Sequence, residues 1–230
     1  MITNPYCFFD FETGSRVPET TQPLQIAAVL VDPIKLTIIE GSEFSSYMKP
    51  IFDKDECAAK GIAPLEDEAL NINNITIETL EEAPPTKLVW ENFNNHIKKF
   101  QKGKGSQWNA PIPAGFNIVK FDMIIVSRLC KEFGPYSEKD NRQTLFHMNY
   151  YFDLYQTFFQ WFENWNQVNN FTMDKLREIL GLSTEGAHDA LVDTKQGAQV
   201  MIRFLQMYRN LNSESSPRIK FKGTMSNVKI

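Results

Sequence analysis

Hydrophobic positions form short unbroken runs near the start of the chain and a three-to-four spacing later, which predicts strands first and helices afterwards. Tyr6 to Phe9 is an aromatic run ending at Asp10, and Leu24 to Val31 is a continuous apolar segment closed by Asp32 and Pro33. Both read as buried strands. Lys35 to Glu40 and Glu43 to Lys49 carry β-branched and aromatic residues on either side of Gly41-Ser42, so the second strand is expected to run on into an antiparallel meander. Asp55 to Lys60 and Ile77 to Glu82 predict short helices within a stretch that is mostly connection, and Pro84 and Pro85 stop the latter.

From Thr86 to Phe100 the apolar positions Leu88, Val89, Phe93, Ile97 and Phe100 predict an amphipathic helix that ends at the glycine-rich Gly103 to Ser106. Ala114 to Asn117 follows as a short strand, then Phe121 to Phe133 as a helix with Ile124, Ile125, Leu129 and Phe133 inward. Tyr136 to Phe146 is polar and read as a loop, and Tyr150 to Leu154 as a strand end leading into an aromatic segment with Trp161 and Trp165. That segment is read as a helix packed on the sheet, with base stacking as the alternative. Phe171 to Leu180 predicts a helix stopped by Gly181, and Asp189 to Leu211 a long one with Ala190, Val192, Ala198, Met201 and Leu205 inward. Strands first, then strand and helix in alternation, define an α/β domain with a mixed β-sheet.

A chain of 230 residues with 42% hydrophobic content is expected to form one compact domain, here 1–212, with 213–230 as a weakly apolar, partly basic C-terminal tail. The start shows no signal-peptide pattern and no apolar run is long enough to span a bilayer, so a soluble protein without membrane contact, located in the cytoplasm, is expected. Cys7, Cys57 and Cys130 are odd in number and far apart, which fits reduced thiols rather than disulfides or zinc ligands. The formal net charge of −4 gives no sign of a nucleic-acid binder. A site built of carboxylates is acidic before its cations arrive, however, so global charge is a weak test. Lys98, Lys99, Lys102 and Lys104, and again Arg218, Lys220 and Lys222, cluster in a way that a solvated helix end and tail explain.

Asp10 and Glu12 stand two positions apart at the end of a strand, so their side chains share one face. Like charges that close raise each other's pKa, and a divalent ion is the simplest offset. Asp122 at a strand-to-helix junction and Asp193 near the start of the last helix can reach the same crevice, where strand ends and helix starts gather. Four hard oxygen ligands suit Mg²⁺ or Mn²⁺, and two such ions about 3.5–4 Å apart serve phosphodiester displacement. His188 lies five residues before Asp193, placed to overhang the site as a proton acceptor near neutral pH. Asp189 is read as an acid favoured at a helix start.

Phe9-Asp10-Phe11-Glu12-Thr13, Gly115-Phe116-Asn117 with Phe121-Asp122, and Ala187-His188-Asp189-Ala190-Leu191-Val192-Asp193-Thr194 together resemble the three ordered motifs of the DEDD exonucleases, in the histidine-bearing DEDDh, DnaQ-like branch. Leu70 to Thr76 is similar to the segment that precedes the helix before the second motif. The resemblance covers about residues 6–208 and implies a ribonuclease H-like mixed β-sheet flanked by α-helices. Within the branch the pattern is most similar to the exonuclease I group, which degrades single-stranded DNA. At 230 residues the chain is expected to lack that group's extra C-terminal domains, so their processivity is not carried over. The first motif continues Thr13-Gly14-Ser15 where many relatives have two threonines before glycine, and Gln25 stands where many have glutamate.

The resemblance implies that Asp10, Glu12, Asp122 and Asp193 hold two divalent cations, Mg²⁺ or Mn²⁺, and that His188 activates water. It places backbone around Phe11 and Thr13, with Asn117 and Phe121, near the terminal nucleotide. The implied partner is nucleic acid with a free 3′ end, single-stranded DNA favoured, and the implied products are 5′ mononucleotides. The alternatives are an RNA 3′-end trimming enzyme of the same fold and a catalytically silent nucleic-acid-binding module.

Overall fold

The computed structural model describes residues 3–103, 106–164, 171–182 and 190–214. Its core is a mixed five-stranded sheet ordered β3-β2-β1-β4-β7, built from β1 (Tyr6–Thr13), β2 (Pro23–Val31), β3 (Phe44–Tyr47), β4 (Ile112–Gly115) and β7 (Phe152–Asp153). β1 pairs antiparallel with β2, with Asp10 opposite Ala27 and Glu12 opposite Gln25, and parallel with β4. β2 is buried along its whole length, as its unbroken apolar run predicts for a strand covered on both faces.

Between β3 and β4 run α1 (Lys54–Lys60), α2 (Asp67–Ile72), α3 (Ile77–Glu82) and α4 (Thr86–Lys98), then a 3-10 turn at Gln107–Asn109. After β4 come α5 (Asp122–Phe133), a hairpin of β5 (Tyr136–Ser137) and β6 (Arg142–Gln143), α6 (Leu154–Phe162), α7 (Met173–Ile179) and α8 (Ala190–Glu214). α1 starts with a reciprocal capping box between Asp53 and Glu56 and ends at Gly61 in the left-handed region, φ 65°.

The strand period of two splits the core. Cys7, Phe9 and Phe11 of β1 and Ile26, Ala28 and Leu30 of β2 pack against Val89, Trp90, Phe93 and Ile97 of α4 and Ile125, Val126 and Leu129 of α5. Phe8 and Val29 face the other way, toward Leu154 and Phe158 of α6, Leu176 of α7 and Ala198, Met201 and Leu205 of α8. Among the described residues no helix is long and apolar enough to cross a membrane.

Several sequence expectations need correction. Lys35 to Glu40 is not a strand: it turns with Leu36 at φ 54° and touches the sheet through one bridge, Ile38 to Val31. Asp32 holds that turn by accepting from the Ile34 and Lys35 amides, an aspartate turn that overrides local β propensity. The loop at Tyr136 to Phe146 contains the β5–β6 hairpin, and α2 occupies ground read as connection. Leu88 and Ile124 lie outside the buried faces assigned to them, while Trp90, Val126 and Cys130 are inside. α8 runs to Glu214, past the expected helix end at Leu211. All three cysteines are free and buried.

Candidate active site

β1 carries the first two acids because its side chains alternate. Phe8 packs under α8, and the next two residues on that face are Asp10 and Glu12. Their neighbour β4 runs parallel to β1 and ends at Gly115, where the chain turns before α5 starts at Asp122. A Cβ on Gly115 would lie 3.0 Å from the Phe9 carbonyl oxygen and 3.1 Å from the Ile118 side chain, so this approach admits no larger residue without displacement. Asp122 is 2% exposed and its Oδ1 accepts from the Phe11 amide at 3.1 Å, which fixes the third acid against β1 between the first two.

The fourth acid arrives from α8. Gly197 lies one turn beyond Asp193, and a Cβ there would sit 2.6 Å from the Phe8 ring. The missing side chain lets the helix settle on β1 close enough for Asp193 to raise the pKa of Asp10 and of Glu12. Asp10, Phe8, Phe116, Met173, Asp174, Arg177, Asp193 and Thr194 line a cleft of about 270 Å³.

Burial and then the neighbouring Asp193 push the Asp10 carboxyl up to about 6, against the lowering effect of the Phe11 amide. Burial, then Asp10, then Asp193 push Glu12 up to about 8. Asp122 is raised well above its ordinary value by burial and then by Asp10, against the lowering effect of the Phe11 amide. Three acids thus lean toward neutrality because desolvation and mutual repulsion penalise their charge, and a divalent ion would relieve both. The donor chemistry fits a hard cation. Among the described residues no three acidic, histidine or cysteine side chains close on one point. Asp193 is instead bonded to Arg177, whose Nη2 lies 3.1 Å from its Oδ1.

Phe11, Thr13, Asn117 and Phe121, the residues expected near a nucleotide end, are not among those that line this cleft. Phe11 is a buried core side chain, so only its backbone faces the acids. Thr13 is 7% exposed, its hydroxyl donates to the Ser15 carbonyl and its own carbonyl accepts from Asn73 in the Leu70 to Thr76 stretch. Phe121 caps α5 and packs on the core. Asn117 is left-handed, φ 57°, on the loop between β4 and α5. Gln25 is buried and donates to Ser45. His188 and Asp189 lie outside the described residues, as do Lys104, Arg218, Lys220 and Lys222. The other two histidines are engaged elsewhere: His96 with the Ser42 carbonyl, and His147 stacked on Tyr150. Lys98, Lys99 and Lys102 are exposed at the far end of the sheet, where Lys102 acts on Asp32 beyond the Tyr6 to Val31 pair.

Two residues that shape the site were missed. Asp153, 4% exposed, caps α6 by accepting from the Tyr155 amide, and its two oxygens also accept from Asn117 and Val119 at 3.1 and 3.3 Å. It therefore holds the loop that carries the second motif. Arg177 was the other, and its signal was present: it falls within the apolar stripe Met173, Leu176, Leu180, where a charge needs a buried partner.

A mixed sheet in this order, with helices on both faces and acids where two parallel strands end, is a ribonuclease H-like nuclease fold. The chain belongs to the exonuclease family RNase_T, which matches residues 7–201. No curated protein matches it significantly. Among solved structures it is similar to cell-death related nuclease 4, at 20% identity and a TM-score of 0.64, covering 89% of this chain and 64% of that one. A 3′-exonuclease seen in recognition of a histone mRNA stem-loop gives 17% identity and 0.61, covering 90% and 84%. E. coli exonuclease I in complex with a dT13 oligonucleotide gives 19% and 0.64, covering 90% of this chain but 43% of that one. The chain thus spans less than half the length of exonuclease I.

Proposed function

We propose that this chain is a divalent-metal-dependent 3′-to-5′ exonuclease whose domain is residues 1–212, acting on single-stranded DNA and releasing 5′ mononucleotides. The observation that supports the reading is that Asp10 and Glu12 share one face at the end of β1, Asp122 is bonded to the Phe11 amide between them, and Asp193 of α8 lies near enough to raise the pKa of Asp10 and Glu12. A fold retains such repulsion where a cation offsets it. Two Mg²⁺ or Mn²⁺ ions held by these carboxylates would activate the attacking water and stabilise the leaving oxygen.

The chain's own groups have separable tasks in this proposal. Asp10, Glu12 and Asp193 present oxygens from β1 and α8, and Asp122 presents its free oxygen while its other stays bonded to the Phe11 amide. His188 takes the proton from the attacking water. Backbone at Phe11 and Thr13, with Asn117 and Phe121, orients the terminal nucleotide. Three buried free thiols fit a reducing compartment such as the cytoplasm.

Single-stranded DNA is favoured by the similarity to exonuclease I with its bound dT13, and RNA is the second reading because a similarly related structure recognises an mRNA stem-loop. The test measures mononucleotide release from end-labelled single-stranded DNA, duplex DNA and RNA, with Mg²⁺, Mn²⁺ or excess chelator. Release from the 3′ end only with metal, fastest on single-stranded DNA, is expected; full activity in chelator removes the metal reading, and faster RNA trimming selects the second substrate. In the same assay His188→Ala should lower the rate by about two to four orders of magnitude and flatten the rise of rate with pH.

A further inference from the structure

The acid cleft already contains a cation of its own. Arg177 is 3% exposed, reaching Asp193 through Nη2 at 3.1 Å and Asp174 through Nη1 at 3.1 Å. It is the one basic side chain among the described residues that line the cleft. The two partners differ: the Asp174 side chain is 77% exposed, whereas that of Asp193 is 29% exposed and stands beside Asp10 and Glu12. Its Nε is buried without a hydrogen-bond partner among the described residues, so the guanidinium is held by its two end nitrogens alone. A buried arginine with one donor unused is not placed for its own solvation.

We propose that Arg177 is the resident counter-ion of Asp193: it neutralises that carboxylate in the metal-free protein and competes with a divalent cation for it. The proposal rests on the metal-dependent reading above. Asp193 cannot be given fully to an incoming cation while it is shared with a guanidinium, and the two positive charges repel across a few ångströms of protein. The ion pair keeps α7 fastened to α8 and gives the Asp193 carboxylate a counter-charge beside Asp10 and Glu12. Metal binding loosens that fastening, so cation affinity is traded for a folded cleft when no cation is present. Arg177 is therefore a positioning residue acting through Asp193.

The test is calorimetric titration of the metal-free full chain with Mn²⁺, for wild type, Arg177→Met and Arg177→Lys, with thermal unfolding of each without metal. Arg177→Met should bind Mn²⁺ at least about tenfold more tightly, because a nearby positive charge is gone. It should also melt lower without metal and gain more on adding Mn²⁺, whereas Arg177→Lys stays within about threefold of wild type in affinity. Equal or weaker Mn²⁺ binding by Arg177→Met overturns the competition. If that variant does not fold, ¹⁵N-arginine spectra of wild type decide: the Arg177 Nε resonance, identified by its loss in Arg177→Lys, should move as Mg²⁺ saturates, and a stationary resonance overturns the proposal. Absence of Mn²⁺ binding in wild type and variants alike removes the metal reading and this inference with it. Wild-type binding with an unaltered Arg177→Met affinity removes this inference alone.

Discussion

On the face of the sheet covered by α4 and α5, β1 presents Cys7, Phe9 and Phe11, all buried among aromatic and aliphatic partners. On the face covered by α8 the same strand presents Phe8 and then Asp10 and Glu12. One face is closed by packing, with Phe9 stacked on Phe146 at 5.1 Å between ring centroids. The other is packed at one end and charged at the other, and the changeover occurs where Gly197 seats α8 on Phe8. The proposed chemistry lies on the second face, so substitutions of its acids and of the first face's aromatic residues should separate rate from stability.

The largest separation is expected between the acids and the aromatic core. Asp10→Ala and Asp122→Ala should each lower turnover by at least about a thousandfold under the proposed function, in which these acids hold the ions that act on the reacting oxygens. Their metal-free melting temperatures should hold or rise, because removing one crowded acid relieves repulsion. Trp90→Ala or Phe93→Ala should do the reverse, costing about 3–5 kcal/mol of stability while the molecules still folded keep their rate. Denaturant midpoints read beside single-turnover rates check this; an acid-to-alanine variant with near-normal turnover would show that the acid is not a ligand.

A smaller effect, spread over both properties, is expected at Asp153. Asp153→Ala leaves the Asn117, Val119 and Tyr155 amides without their acceptor, which should cost about 1–3 kcal/mol. The loosened loop should also lower kcat by about tenfold to a hundredfold, the usual penalty of misplacing groups by an ångström. Asp153→Asn, which retains one oxygen acceptor, should recover part of both. A loss of stability with kcat unchanged would reduce Asp153 to a helix cap.

Much of this division was legible in the sequence. The run Tyr6 to Phe9 followed by Asp10-Phe11-Glu12 states a strand whose one face turns acidic, and Asp122 was expected beside it from the Gly115 to Asp122 motif. Asp153 could be read as a helix cap from the apolar segment after it, but its grip on Asn117, 36 positions away, exists only once β4 and β7 pair. Gly197 looks like a weak point in a long helix until Phe8 is seen against it. Lys35 to Glu40 misled because β-branched residues there serve a turn fastened by Asp32. At Asp153 and Gly197 tertiary contact gave a local signal a meaning it did not carry alone, whereas at Lys35 to Glu40 a local turn overrode the strand propensity.

The most direct measurement is the melting temperature of the metal-free protein from pH 5 to 8.5, repeated in saturating Mg²⁺. Glu12 is raised from 4.5 to about 8 and Asp10 from 3.8 to about 6, so in this window the folded state binds protons that the unfolded chain has released. Stability must then fall as pH rises toward the folded values, by roughly 2–4 °C for each kcal/mol lost. Mg²⁺ should offset the fall, and the gap between the two curves should widen with pH as the carboxylates ionise. Curves that stay flat, rise with pH, or coincide with and without Mg²⁺ would contradict the account of these acids as a strained cation site.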